Sequence, residues 1–188
     1  AWVLRKACAE AITWPLPIKV AVNLSPVQFK SRNLVQAVLT ALAYSRLPPE
    51  RLELEITESL LLEGKDDVCQ LLKDLSALGV SIAIDDFGTG YSALSYLTRF
   101  PVDTLKIDRA FVKDLPGDHN SGELVKAIVS LGHSLGMVMV AEGVETLEQA
   151  NQLRGLGCEM VQGFLYGRPM PYAEFKALVQ MANAPATA

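Results

Sequence analysis

The chain predicts an α/β fold of the (β/α)8 TIM-type barrel class, supplying about six βα units and lacking the first strands. Three observations carry this expectation. Short apolar runs alternate with helical patterns along the whole length, which calls for a parallel sheet with helical crossovers. No Gly-x-Gly-x-x-Gly turn follows an early strand, as a dinucleotide-binding open sheet would need. Each apolar run ends in a polar residue, whereas an open sheet gathers its ligands at one switch point and a barrel draws on many strand ends.

Each element has its own justification. Residues 1–14 read as an amphipathic helix that begins in mid-element, so Ala1 looks like a cut and about two strands are expected upstream of it. Strands are expected at 18–24, 51–57, 80–86, 102–108, 137–142 and 159–164, each a short apolar run. Helices are expected at 31–44, 66–78, 92–99, 122–135, 147–156 and 172–181. Pro48-Pro49, Gly79, Pro101, Gly136 and Gly157 mark the returns from helix to strand. With no linker or low-complexity insert, residues 1–182 form one barrel domain and 183–188 a flexible tail.

Composition narrows the function. Of 188 residues 50 % are hydrophobic, enough for one packed core, and 17 Lys+Arg against 21 Asp+Glu give a net charge of −4. No basic face stands out, so a nucleic-acid duplex is not an expected partner. Cys8, Cys69 and Cys158 are odd in number and not spaced for zinc, which suggests a reducing, cytoplasmic setting. The most apolar stretch, 124–141, is interrupted by Lys126, His133 and two glycines, so no membrane contact is expected from this segment. His119 and His133 lack partners at ligand spacing, and Trp2 and Trp14 read as packing residues.

The strand ends carry Asn23, Glu55, Asp85 with Asp86, Lys106 with Asp108, Glu142 and Gln162. Adjacent carboxylates at 85–86 repel each other and lose solvation, so they need a compensating charge. Carboxylates and an amide oxygen are hard ligands of the kind Mg²⁺ or Mn²⁺ prefers. Glu55, Asp85, Asp86 and Glu142 suffice for two metals if one aspartate bridges, an arrangement suited to in-line phosphoryl displacement. A lysine among them, Lys106, keeps its charge and can touch the attacking water or a phosphate oxygen. Plainer roles stand beside these. Asn23 can shape a turn before Ser25 and Pro26, Glu55 and Glu58 can be solvated charges, Glu142 can be a loop acid, and Asp108 reads best as a helix cap.

Asn23-Leu-Ser, Glu55-Ile-Thr-Glu58, Asp85-Asp-Phe-Gly-Thr-Gly-Tyr-Ser92, Leu105-Lys-Ile-Asp108, Ala141-Glu-Gly-Val-Glu-Thr146 and Gln162-Gly-Phe-Leu-Tyr-Gly-Arg-Pro169 together resemble the successive motifs of the EAL domain. The resemblance implies a bacterial second-messenger phosphodiesterase that hydrolyses cyclic di-GMP to linear pGpG with Mg²⁺ or Mn²⁺. It implies that Asn23, Glu55 and Asp85 hold a first metal and that Asp85 bridges to a second, held also by Asp86 and Glu142. Lys106 is then expected on the hydrolytic water, Gln162 in support, and Glu58 as anchor of the Asp86–Ser92 loop. The same resemblance implies a homodimer through the loop after Asp86 and its following helix, and possible upstream sensory or diguanylate-cyclase (GGDEF) domains. The Glu-Ala-Leu signature itself, with its metal-binding glutamate, belongs on a strand upstream of the opening helix and is absent from this sequence. The alternatives are a non-hydrolytic cyclic di-GMP receptor or regulatory EAL module, or an inactive fragment; an enolase-like barrel fits less well, because the acidic ligands skip the Lys106 strand.

Overall fold

The computed structural model describes residues 2–29, 33–62, 66–88 and 97–182. Its core is one parallel sheet of six strands: β1 (Val20–Asn23), β2 (Leu52–Thr57), β3 (Ser81–Phe87), β4 (Thr104–Ile107), β5 (Val138–Ala141) and β6 (Met160–Val161). The strands lie side by side in chain order, every neighbouring pair parallel. A doubly wound sheet reverses its strand order at a switch point; this one never does, so it curls in one direction as part of a TIM-type barrel.

The helices follow from apolar spacing and caps. α1 (Trp2–Ala11) buries Leu4, Cys8 and Ala11; α2 (Pro26–Phe29) is a single turn; α3 (Leu34–Ser45) buries Leu34, Val38, Ala41 and Leu42. α4 (Glu58–Leu62) and α5 (Asp66–Ala77) precede β3, and α5 buries Val68, Cys69, Leu72 and Leu75. α6 (Arg109–Val112) starts at Asp108, whose carboxylate accepts from Ala110 N at 2.7 Å, the cap that the sequence favoured. α7 (His119–Ser134) begins earlier than its apolar pattern, because Asp118 caps it through Ser121 N. α8 (Leu147–Gly155) opens with a capping box in which Thr146 and Gln149 bond reciprocally, and α9 is Tyr172–Ala182.

Five of the six strands are shorter than expected, while β3 keeps seven residues and is shifted by one to end at Phe87. Part of the helix expected at 92–99, the loop from Thr89 on and the tail 183–188 lie outside the described residues, as does the expected dimer surface. Arg51 ties the opening of the fold together: its guanidinium donates to the carbonyls of Ala11, Leu16 and Ile18. No helix among the described residues is long and apolar enough to cross a membrane.

Alternation sorts each strand into two faces. Leu52, Leu54, Ile56, Ile82, Ile84, Leu105, Ile107, Met139 and Ala141 point toward the helices and are buried. The opposite, inner face carries Glu53, Glu55, Ser81, Ala83, Asp85, Thr104, Lys106 and Val140, so nearly all of the sheet's polar residues share one side.

Candidate metal and phosphodiester site

Asp85 and Asp86 break that alternation. Ile84 pairs with Leu105 and Phe87 with Ile107, so β3 spends one residue more than β4 over the same span. The extra residue is Asp86, held at φ 56°, the left-handed region. This bulge lets Ile84 and Phe87 both face the core while the two intervening carboxylates turn toward the inner face. A non-glycine residue there costs about 1–3 kcal/mol, a strain typical of functional sites.

Lys106 stands at the centre. Its Nζ lies 2.7 Å from Glu55 Oε1, 2.7 Å from Glu142 Oε1 and 3.0 Å from Asp85 Oδ1, and the residue is only 4 % exposed. An ammonium carries three protons, and three carboxylates lie within ion-pair distance of this one. Burial alone works against the charge, but the hydrogen bonds to Glu142 and Glu55 outweigh it, and Lys106 titrates above the ordinary lysine value. The same burial pushes Glu142 above the usual carboxylate range, with Lys106 pulling back and Asp85 and Glu55 adding to the rise. Asp86 is also raised, by burial first, then by the charge of Asp85 and by Asp108.

The outer side of the cluster suits a divalent cation. Asp85, Asp86 and Glu142 each offer an oxygen within 4.8 Å of the others. Like charges at that separation repel by roughly 3 kcal/mol per pair at an effective dielectric of about 20, so the trio is held together against its own electrostatics. Asp85 Oδ1 is buried and meets Lys106 as an ion pair rather than as an aligned hydrogen bond. Hard oxygen donors with unspent capacity fit Mg²⁺ or Mn²⁺.

The remaining residues border this centre. Asn23 ends β1 directly opposite Glu55 in register. Gln162 follows β6 and lines, with Asp86, Asp108, Arg109, Glu142 and Phe164, a cavity of about 770 Å³ beside the trio. Glu58, 3 % exposed, begins α4 and accepts a hydrogen bond from Gly88 N at 3.0 Å, in the turn that follows Asp86. Asp108 both caps α6 and faces Asp86; its place two residues after Lys106, just past the end of β4, was the signal for the second role. His133 instead pairs with Glu159 at 2.6 Å, away from the site.

The EAL domain family profile matches residues 1–169. The bifunctional diguanylate cyclase/cyclic di-GMP phosphodiesterase MucR of Pseudomonas aeruginosa is 47 % identical over 182 residues, 95 % of this chain and 27 % of MucR. A solved structure of PaMucR phosphodiesterase in a c-di-GMP complex superposes with a TM-score of 0.88 at 47 % identity, covering 93 % of this chain and 72 % of that one. Klebsiella pneumoniae BlrP1 in a manganese/cy-diGMP complex gives 0.81 at 37 % identity, over 88 % of this chain and 43 % of that one. The chain spans between 21 % and 27 % of the length of curated relatives such as these. Sheet order, strand-end motifs and the profile match agree, and the chain belongs to the EAL domain family.

Proposed function

We propose that this chain is the catalytic part of a divalent-metal-dependent phosphodiesterase that opens cyclic di-GMP to linear pGpG. The observation that carries the reading is the buried Lys106 ammonium clasped by Glu55, Asp85 and Glu142, with Asp86 completing an oxygen trio beside it. Relatives named as cyclic di-GMP phosphodiesterases, and neighbour structures described as c-di-GMP complexes, support the substrate class.

Asn23, Glu55 and Asp85 would hold one Mg²⁺ or Mn²⁺ ion, and Asp86 and Glu142, together with Asp85, would hold a second. Bound there, the ions supply charge neutralisation at the phosphate and ease ionisation of the attacking water. Lys106, raised in pKa, stays an ammonium at neutral pH; it donates to the water or to a phosphate oxygen and does not act as the base. Water oxygen bonds to phosphorus as one phosphorus–sugar oxygen bond breaks; the water gives up one proton to solvent and the leaving sugar oxygen gains one, so the step is balanced. Gln162 lines the cavity where the dinucleotide approaches, and Glu58 fixes the turn that carries Asp86.

The test is turnover of cyclic di-GMP by the full-length native polypeptide in Mn²⁺ or Mg²⁺, with and without a chelator. Appearance of pGpG that the chelator abolishes is the expected result. Tight binding without cleavage in either metal would overturn the reading and make the protein a receptor.

A further inference from the structure

Beneath the carboxylate–ammonium cluster, toward the N-terminal ends of the strands, the inner face carries a second polar contact. Thr104 Oγ1 donates to Glu53 Oε2 at 3.0 Å, and Lys19 Nζ donates to Ser81 Oγ at 2.9 Å while lying 3.8 Å from Glu53. Glu53 stands two residues before Glu55 on β2, and Thr104 two residues before Lys106 on β4. The Glu53–Thr104 and Glu55–Lys106 contacts therefore run in parallel, both spanning from β2 to β4 across β3.

The strand they cross makes room for them. Ala83 pairs with Glu55 on one side and with Thr104 on the other, so it lies between the two contacts, and Ser81 lies below it. These are the short side chains of β3's inner face. Inner layers of parallel barrels are dominated by branched apolar residues. A largely buried carboxylate bonded to a buried hydroxyl loses solvation that such residues would not. Filling space does not explain that choice.

We propose that Glu53 and Thr104 are positioning residues for Lys106. Their contact fixes the spacing of β2 and β4 one layer below the site, so that the Lys106 ammonium meets Glu55 at 2.7 Å, and Ala83 stays small so that both contacts can cross β3. The kinetic arm of the test rests on the phosphodiesterase reading; a second arm does not.

The experiment compares Thr104→Val, Thr104→Ser, Glu53→Met and the Thr104→Val/Glu53→Met double variant in the full-length polypeptide. Steady-state cyclic di-GMP hydrolysis is read beside the NMR signal of the Lys106 Cε methylene, which reports the ammonium's surroundings without turnover. Thr104→Val is expected to lower kcat on the order of tenfold at unchanged KM and to move the Lys106 signal. Thr104→Ser restores both, and the double variant costs no more than either single one. Unchanged kcat and an unmoved signal in Thr104→Val overturn the proposal. So do a Thr104→Ser variant as impaired as Thr104→Val and fully additive losses in the double variant. If the unmutated protein does not cleave cyclic di-GMP, the phosphodiesterase reading alone fails, and the Lys106 signal decides the positioning role.

Discussion

Asp85 and Asp86, consecutive on β3, present their carboxylates to one point together with Glu142, because Asp86 adopts φ 56° and bulges the strand. A regular strand would send them to opposite faces, and one would enter the apolar layer under the helices. Lys106 pairs with Asp85 and Glu142 but not with Asp86, so the third acid adds repulsion that only a further cation would balance. Asp86→Asn removes one charge and keeps a side chain that tolerates the left-handed region. In chelator, this variant should melt a few degrees above the unmutated protein, and in Mn²⁺ its turnover should fall at least about a hundredfold. A lower melting temperature in chelator would contradict the electrostatic account.

Asp85 touches Lys106 and belongs to the oxygen trio, so it joins the two halves of the cluster. Asp85→Asn keeps the volume and removes the charge. Hydrolysis should be lost with the fold intact, as seen by circular dichroism; near-normal turnover would sink the shared-ligand scheme.

Lys106 balances Glu55, Asp85 and Glu142 from within. Lys106→Met leaves those acids facing one another without their cation, and breaking a buried pair costs about 3–5 kcal/mol. The variant should melt well below the unmutated protein in chelator, and Mn²⁺ should recover part of the difference by replacing the lost positive charge. Thermal unfolding with and without Mn²⁺ checks both halves of this expectation.

These cases mark what the sequence could and could not tell. The sheet was legible because β3 and β5 are largely apolar and β2 alternates Leu52, Leu54 and Ile56 with polar residues, and the acids at 85–86 and 142 were legible because they end the apolar stretches. The bulge was not. Asp-Asp is compatible with a straight strand, and the left-handed turn at Asp86 follows from pairing with β4, a long-range relation that no local pattern encodes. Lys106 was visible as a lysine among acids, but its three partners come from separate strands. The Glu53–Thr104 contact is hidden for the same reason: it joins two strands, and neither residue sits at the C-terminal end of its own.

Gly163 shows how a loop can matter as much as a ligand. A Cβ there would overlap the Val144 backbone, because the turn after β6 packs directly on the turn after Glu142. Val144 N donates to Gln162 O at 3.1 Å and Leu165 N to Val144 O at 3.0 Å, so the two turns cannot separate without losing both bonds. Gly163→Ala should destabilise by about 2 kcal/mol or more and displace Glu142 relative to Gln162. Loss of turnover together with a lowered melting temperature is the expected pair; an unchanged melting temperature would show that the turns part freely.

Glu159 supplies a pH dependence away from the site. Burial raises its carboxyl, but the backbone N–H groups of Met139 and Glu159 and the contact with His133 outweigh burial and leave it below its ordinary value of 4.5. A carboxyl depressed in the folded state contributes stability that is present above the unfolded value and is lost as pH falls through the folded one. Because Glu159 bonds Met139 N, this stability acts on the pairing of β5 with β6. Glu159→Gln should therefore lower the melting temperature at neutral pH, and the gap to the unmutated protein should close in acid, as pH falls below 4.5 and through the depressed folded-state value. The pair is largely solvent-exposed, so added salt should narrow the gap at neutral pH as well. A gap that stays constant across that acid range would place the stabilising effect in packing rather than in charge.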